Sequence, residues 1–194
     1  MKRIVMLISF LAVLALCASA QTYINFHEMP IAKAPSPMPD LYPTGANLLW
    51  DNFYYVTPGI WSAEGPGFWV DPATLHNTAV FVGGPLCPLA ITCSGSIKMN
   101  PLPVAPTATP SFTPVSMTLS AGWLPNHVII NAFNNGTFVG TITLKLGTTP
   151  HPYSFPASWK NVTQLTFTPE FVPNHAIYPQ AGSMVIYDFI LMKH

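Results

Sequence analysis

Apolar and polar residues alternate at every second position in several short stretches of this chain, and no stretch shows a capped helical period. Residues 22–26 alternate and predict a first strand. Pro30, Pro35, Pro37, Pro39 and Pro43 then exclude regular structure as far as about residue 46. Residues 47–56 predict a second strand, and residues 68–70 a short strand or extended loop. Residues 79–82 and 95–99 follow, the first of them ended by Gly83-Gly84-Pro85. In residues 115–123 the alternation places Val115, Met117, Leu119 and Ala121 on one side. The clearest local element is the pair 127–133 and 137–146, joined by Asn134-Asn135-Gly136. Asn-Gly tolerates the positive φ that a tight hairpin demands, so this pair predicts a β-hairpin. Residues 162–168 predict another strand.

The chain closes on residues 184–192, a run almost wholly apolar and rich in β-branched and aromatic side chains. It reads as a strand buried on both faces. Strict alternation puts Ile186, Asp188 and Ile190 on one face and Val185, Tyr187, Phe189 and Leu191 on the other. A carboxylate between two isoleucines must be paired, hydrogen-bonded, metal-bound or protonated. About eight to ten short strands separated by turns make an all-β protein, a sandwich or a barrel. The five prolines of residues 100–114 are read as a surface loop within one domain, because the part before them lacks the strands to close its own core.

Two segments stand outside this pattern. Lys2 and Arg3 precede an apolar run to Leu16, then Ala18-Ser19-Ala20, so residues 1–20 predict a secretory signal peptide and residues 21–194 the mature domain. The apolar run is shorter than the roughly 20 residues a spanning helix needs, so no membrane span is expected. Cleavage would remove Cys17 and leave Cys87 and Cys93, which in an oxidising compartment predict a disulfide closing a small loop. Asn135-Gly136-Thr137 and Asn161-Val162-Thr163 are glycosylation sequons. A secreted, extracellular glycoprotein is the expectation.

Composition narrows the function classes. Charged residues are 7% of the chain and the formal net charge is zero, while 49% of residues are hydrophobic. An average globular protein carries roughly 25% charged residues. No basic patch can form that would capture nucleic acid or an anionic membrane. A surface with so little charge resists self-association poorly. No metalloprotease helix, nucleophile elbow or phosphate-cradling loop occurs. Glu28, Asp40, Asp51, Glu64, Asp71, Glu170 and Asp188 are the only mature acids, and no spacing among them marks a glycosidase pair. The six histidines are scattered. No catalytic residue is assigned and the chain is read as a non-enzyme. Trp61, Phe68 and Trp69 lie in a glycine- and proline-rich loop beside Glu64 and Asp71. Aromatic faces with nearby acceptors suit a neutral polyol, so these five residues are the expected ligand contacts. Burial of the aromatics under the loop is the competing outcome. Trp50, Tyr54 and Tyr55 read as packing residues on a strand.

Residues 24–28, 49–55, the Asn135-Gly136 hairpin, residues 162–167 and residues 185–189 occur in an order that resembles secreted jelly-roll proteins of mostly unknown function. Those proteins are similar to the galactose-binding-like β-sandwich of many carbohydrate-binding modules. The resemblance implies a single antiparallel β-sandwich of jelly-roll type with a glycan ligand. It also implies a structural calcium joining Glu28 to Asp188, against the alternative that backbone N–H groups near the first strand satisfy Asp188. The leading reading is a non-catalytic carbohydrate-binding protein. The alternative is a self-associating structural protein of a cell surface, matrix or extracellular filament, partnered by a surface or matrix component.

Overall fold

A computed structural model describes residues 20–43, 45–59, 66–68, 79–82, 94–100, 110–170 and 184–194. The predicted signal peptide, apart from Ala20, and the Cys87–Cys93 pair lie outside these residues. Among the described residues there is no helix. The strands are β1 (Gln21–Asn25), β2 (Ser36–Pro37), β3 (Leu48–Asp51), β4 (Phe53–Val56), β5 (Ala79–Val82) and β6 (Gly95–Met99). They continue as β7 (Phe112–Ala121), β8 (Asn126–Asn134), β9 (Thr137–Leu146), β10 (His151–Ser154), β11 (Gln164–Pro169) and β12 (Met184–Lys193).

These strands form two antiparallel sheets. One has seven strands in the order β10-β7-β12-β5-β4-β2, with β1 also paired to β12. The other has five, in the order β3-β6-β11-β8-β9. The chain passes from one sheet to the other at β2–β3, β3–β4, β5–β6, β6–β7, β7–β8, β9–β10, β10–β11 and β11–β12. The result is a β-sandwich of jelly-roll type. Its core lies between the sheets, where Ile24, Phe53, Ile97, Met117, Ile130, Phe167, Phe189 and Leu191 are each 2% exposed or less. Residues from both ends of the described chain therefore share one core.

Three local features depart from simple alternation. The expected strand over residues 47–56 divides at Asn52, whose φ of 59° turns the chain so that β3 and β4 join different sheets. Asparagine is among the few residues that enter this region readily, and its Nδ2 is held by the Ser94 carbonyl at 2.8 Å. β7 begins earlier than expected, at Phe112, and includes Pro114. Proline is tolerated there because β10 pairs only with residues beyond it, Ser116 to Leu119.

The third feature corrects the reading of the last strand. In the β12–β7 pairing Ile186 stands opposite Leu119 and Asp188 opposite Thr118, which leaves Tyr187 as the extra residue of a β-bulge. The bulge reverses the phase of the strand. Met184 and Ile186 face the main core before it, and Phe189 and Leu191 after it. Asp188 is consequently half-buried and not on the face of Ile186. Val185 and Tyr187 point to the opposite side, where a second apolar cluster of Val56, Phe68, Phe81, Trp123 and Val185 covers part of the seven-stranded sheet.

Candidate functional site

The outer face of the five-stranded sheet presents the polar halves of its alternating strands. Ile97, Leu165, Phe167, Val128, Ile130 and Ala132 turn into the core, so their neighbours turn outward. Register then aligns these outward residues in rows. Asp51, Ser96, Thr166, Asn131 and Thr141 follow one another across β3, β6, β11, β8 and β9. A parallel row runs Leu49, Lys98, Gln164, Phe133 and Phe138. Five strands at about 4.8 Å spacing make each row close to 20 Å long.

Two ends of this face differ in chemistry. At the β9 end, Phe138 is 56% exposed and meets Phe133 edge to face with ring centroids 5.8 Å apart. At the β3 end, Asp40, Leu49, Trp50, Asp51 and Lys98 line an open hollow of about 270 Å³. The Trp50 ring is buried, its Nε1 donating to the Tyr42 carbonyl at 2.6 Å. Asp51 and Lys98 form an exposed ion pair at 4.0 Å. Such a pair is worth little in water.

Between the ends the groups are neutral. Asn131 Nδ2 donates to Thr166 Oγ1 at 3.4 Å, and the Ser94 and Thr168 hydroxyls share a hydrogen bond at 2.8 Å. Along the margin, His127 Nδ1 and Glu170 Oε2 are 3.0 Å apart. The Ser96 hydroxyl is buried and has no hydrogen-bond partner. Hydroxyls and amides of this kind can donate and accept at once. The arrangement can hydrogen-bond a neutral ligand that carries many hydroxyls and can stack an apolar sugar face on Phe138.

None of these residues was among the expected ligand contacts. Of the expected five, only Phe68 falls within the described residues, and its placement is a correction. Phe68 is 4% exposed and packs against Phe81 and Trp123 at centroid distances of 5.5 and 4.9 Å. It anchors the second cluster and offers no face to a ligand. Trp61, Glu64, Trp69 and Asp71 lie outside the described residues. The signal that marks the polar face was present in the sequence, because alternation in residues 127–133, 137–146 and 162–168 leaves threonines and amides on one side.

Asp188 Oδ1 accepts the Thr118 backbone N–H at 3.2 Å. One backbone donor, from β7 and not from near the first strand, thus reaches one oxygen of the carboxylate. Partial desolvation, and secondarily the Asp188 charge, push the phenol of the largely exposed Tyr23 up from its ordinary value. Glu28 is exposed, and its charge acts on Tyr42, which burial chiefly raises. Among the described residues no three His, Cys, Asp or Glu side chains gather as a metal site. Asn135 at the β8–β9 tip and Asn161 are both exposed with positive φ, 47° and 54°. The Asn135 N–H donates to the Thr163 hydroxyl at 2.9 Å.

No protein-family profile matches the sequence, and no curated protein does. Among solved structures, the chain is similar to a DUF4465 family protein from Bacteroides caccae, with a TM-score of 0.55 and 10% identity, over 90% of this chain and 100% of that one. A DUF4465 family protein from Bacteroides ovatus gives 0.53 and 10%, over 91% and 100%. A family 29 carbohydrate-binding module is more distant, at 0.40 and 14% over 90% and 89%, and that likeness bears no weight here. What the two Bacteroides structures share with this chain is its fold, a jelly-roll β-sandwich, at about one identical residue in ten.

Proposed function

We propose that this protein is a non-catalytic, secreted binding protein that takes a neutral glycan on the outer face of its five-stranded sheet. The observation that carries the reading is the row of Asp51, Ser96, Thr166, Asn131 and Thr141 lying beside the Phe133–Phe138 pair. Secretion rests on the N-terminal sequence, with its basic pair, apolar run and Ala18-Ser19-Ala20. A glycan chain offers hydroxyls for the row and apolar ring faces for Phe138. The low charge of the protein suits a ligand without charge.

Self-association through sheet edges is the weaker reading, because three of the four terminal strands in the two sheet orders, β2, β9 and β10, are blunted. Terminal strands β2 and β10 are short and contain Pro37 and Pro152. The register of β9 skips Val139, a bulge, and the strand carries Lys145. Short strands, prolines, bulges and lysines all hinder edge-to-edge pairing.

Calorimetric titration of the folded chain with neutral hexasaccharides (cellohexaose, mannohexaose and xylohexaose) tests the proposal. Binding to at least one is expected, with Phe138→Ala abolishing it while the thermal midpoint holds. Absence of binding to all three would overturn the glycan reading.

A further inference from the structure

We infer that Ser96 is the residue through which this face discriminates among glycans, an assignment that rests on the glycan reading above. Ser96 lies on β6, inside the sheet, with β3 on one side and β11 on the other. Its neighbour Ile97 is fully buried in the core, so Ser96 turns outward. Asp51 and Thr166 stand opposite it on the two adjoining strands.

The residue is 6% exposed, and its Oγ has no hydrogen-bond partner. The polar groups around it are engaged with one another. Thr166 takes the Asn131 amide, Ser94 takes Thr168, and Asp51 pairs with Lys98. A serine hydroxyl has one proton to donate and two lone pairs to fill. Leaving them empty out of water disfavours the unliganded protein. A sugar hydroxyl that reaches between Asp51 and Thr166 removes that penalty. A sugar with hydrogen or an apolar substituent at the same place does not. Specificity is such a difference between two affinities.

Access runs past the Asp51–Lys98 pair, which borders Ser96 on the diagonal between β3 and β6. Their side chains are 72% and 42% exposed. An exposed pair at 4.0 Å opens at little cost. Ser96 is thus a fixed polar point beneath a movable border.

The test compares the full chain, Ser96→Ala and Phe138→Ala by calorimetry with the same three hexasaccharides, alongside thermal melts. Ser96→Ala is expected to keep or raise the melting midpoint, since its hydroxyl bonds to nothing in the unliganded fold and its removal relieves the cost of an unfilled buried group. It should weaken the tightest ligand by about tenfold and the weakest ligand less, so that the spread of affinities narrows. Phe138→Ala should abolish binding of every hexasaccharide that the wild type takes. Wild-type affinities retained by Ser96→Ala would overturn the assignment, while the loss in Phe138→Ala left the glycan reading standing. A midpoint that fell with Ser96→Ala would also overturn it, by showing that the hydroxyl serves the fold. If the wild-type chain bound none of the three, the glycan reading would fail first and this assignment with it.

Discussion

Tyr187, the extra residue of the β12 bulge, donates its hydroxyl to the backbone carbonyl of Gly67, 120 positions earlier in the chain. Ser120 donates to the same oxygen at 2.8 Å, and the Gly67 N–H donates to the Gly122 carbonyl at 2.9 Å. The bulge therefore holds a distant turn against the outside of the seven-stranded sheet. A Cβ added at Gly67 would stand 1.6 Å from the Ala121 carbonyl oxygen. Backbone on both sides of that contact leaves no flexible atom to yield. Gly67→Ala should lower the unfolding free energy by about 2–4 kcal/mol, as a forced backbone shift over a packed cluster does. Tyr187→Phe removes only the hydroxyl and should cost about 1 kcal/mol. Urea titrations of both variants measure the order.

Phe68 provides a second separation between packing and binding. Its ring fills the cluster formed with Phe81, Trp123 and Val185. Phe68→Ala is expected to cost about 3–5 kcal/mol by leaving a cavity that the sheet cannot close. Wherever the variant remains folded, its glycan affinity should equal that of the wild type. A loss of binding without a loss of stability would return Phe68 to the ligand surface.

These residues also show what could be read from the sequence and what could not. The Asn134-Asn135-Gly136 turn was legible because its chemistry is local, and β8 and β9 flank it as expected. The strands were legible because alternation records which side faces the core. Asp188 was misplaced because a bulge shifts the phase of alternation without any mark of composition. Phe68 was misplaced because glycine and proline near it announce a loop, and a loop can fold back onto a sheet. Which residues meet across β3, β6, β11, β8 and β9 depends on register between strands distant in sequence. The row that includes Ser96 and Asn131 was therefore invisible until the sheet order was known.

The bond from Thr118 to Asp188 gives a third expectation. Asp188→Ala takes the acceptor from a backbone N–H inside the β7–β12 pairing. The cost should be about 1–3 kcal/mol, the penalty for a donor left unpaired. Asp188→Asn keeps an oxygen at the same place and should cost clearly less. Equal melting midpoints for wild type and Asp188→Ala would show that the bond contributes nothing.

Alkaline conditions should weaken the fold through its tyrosines, Tyr42 foremost. Burial first, and the Glu28 charge second, raise the Tyr42 phenol above 10.0. Burial raises Tyr153, while Tyr23, 59% exposed, is raised by partial desolvation and then Asp188 and contributes little. Below pH 10 these phenols keep their protons in both the folded and unfolded chain, and their contribution is fully present. As pH rises past 10, the unfolded phenols ionise while the folded ones resist. The unfolded state gains, and stability falls until the folded groups ionise too. The urea midpoint should therefore decline between about pH 9.5 and 11.5, the range around an ordinary tyrosine titration. Tyr42→Phe should make that decline shallower. At neutral pH the same variant should lose about 1 kcal/mol, because the Tyr42 hydroxyl donates to the Asn25 carbonyl at 2.7 Å. Glu28→Gln separates the two causes. It leaves the burial of Tyr42 in place and removes the charge, so it should reduce the slope less than Tyr42→Phe does. Phenolate absorbance followed through the same range would show the folded chain titrating later than the urea-unfolded chain. Coincident titrations of the two states would contradict the account.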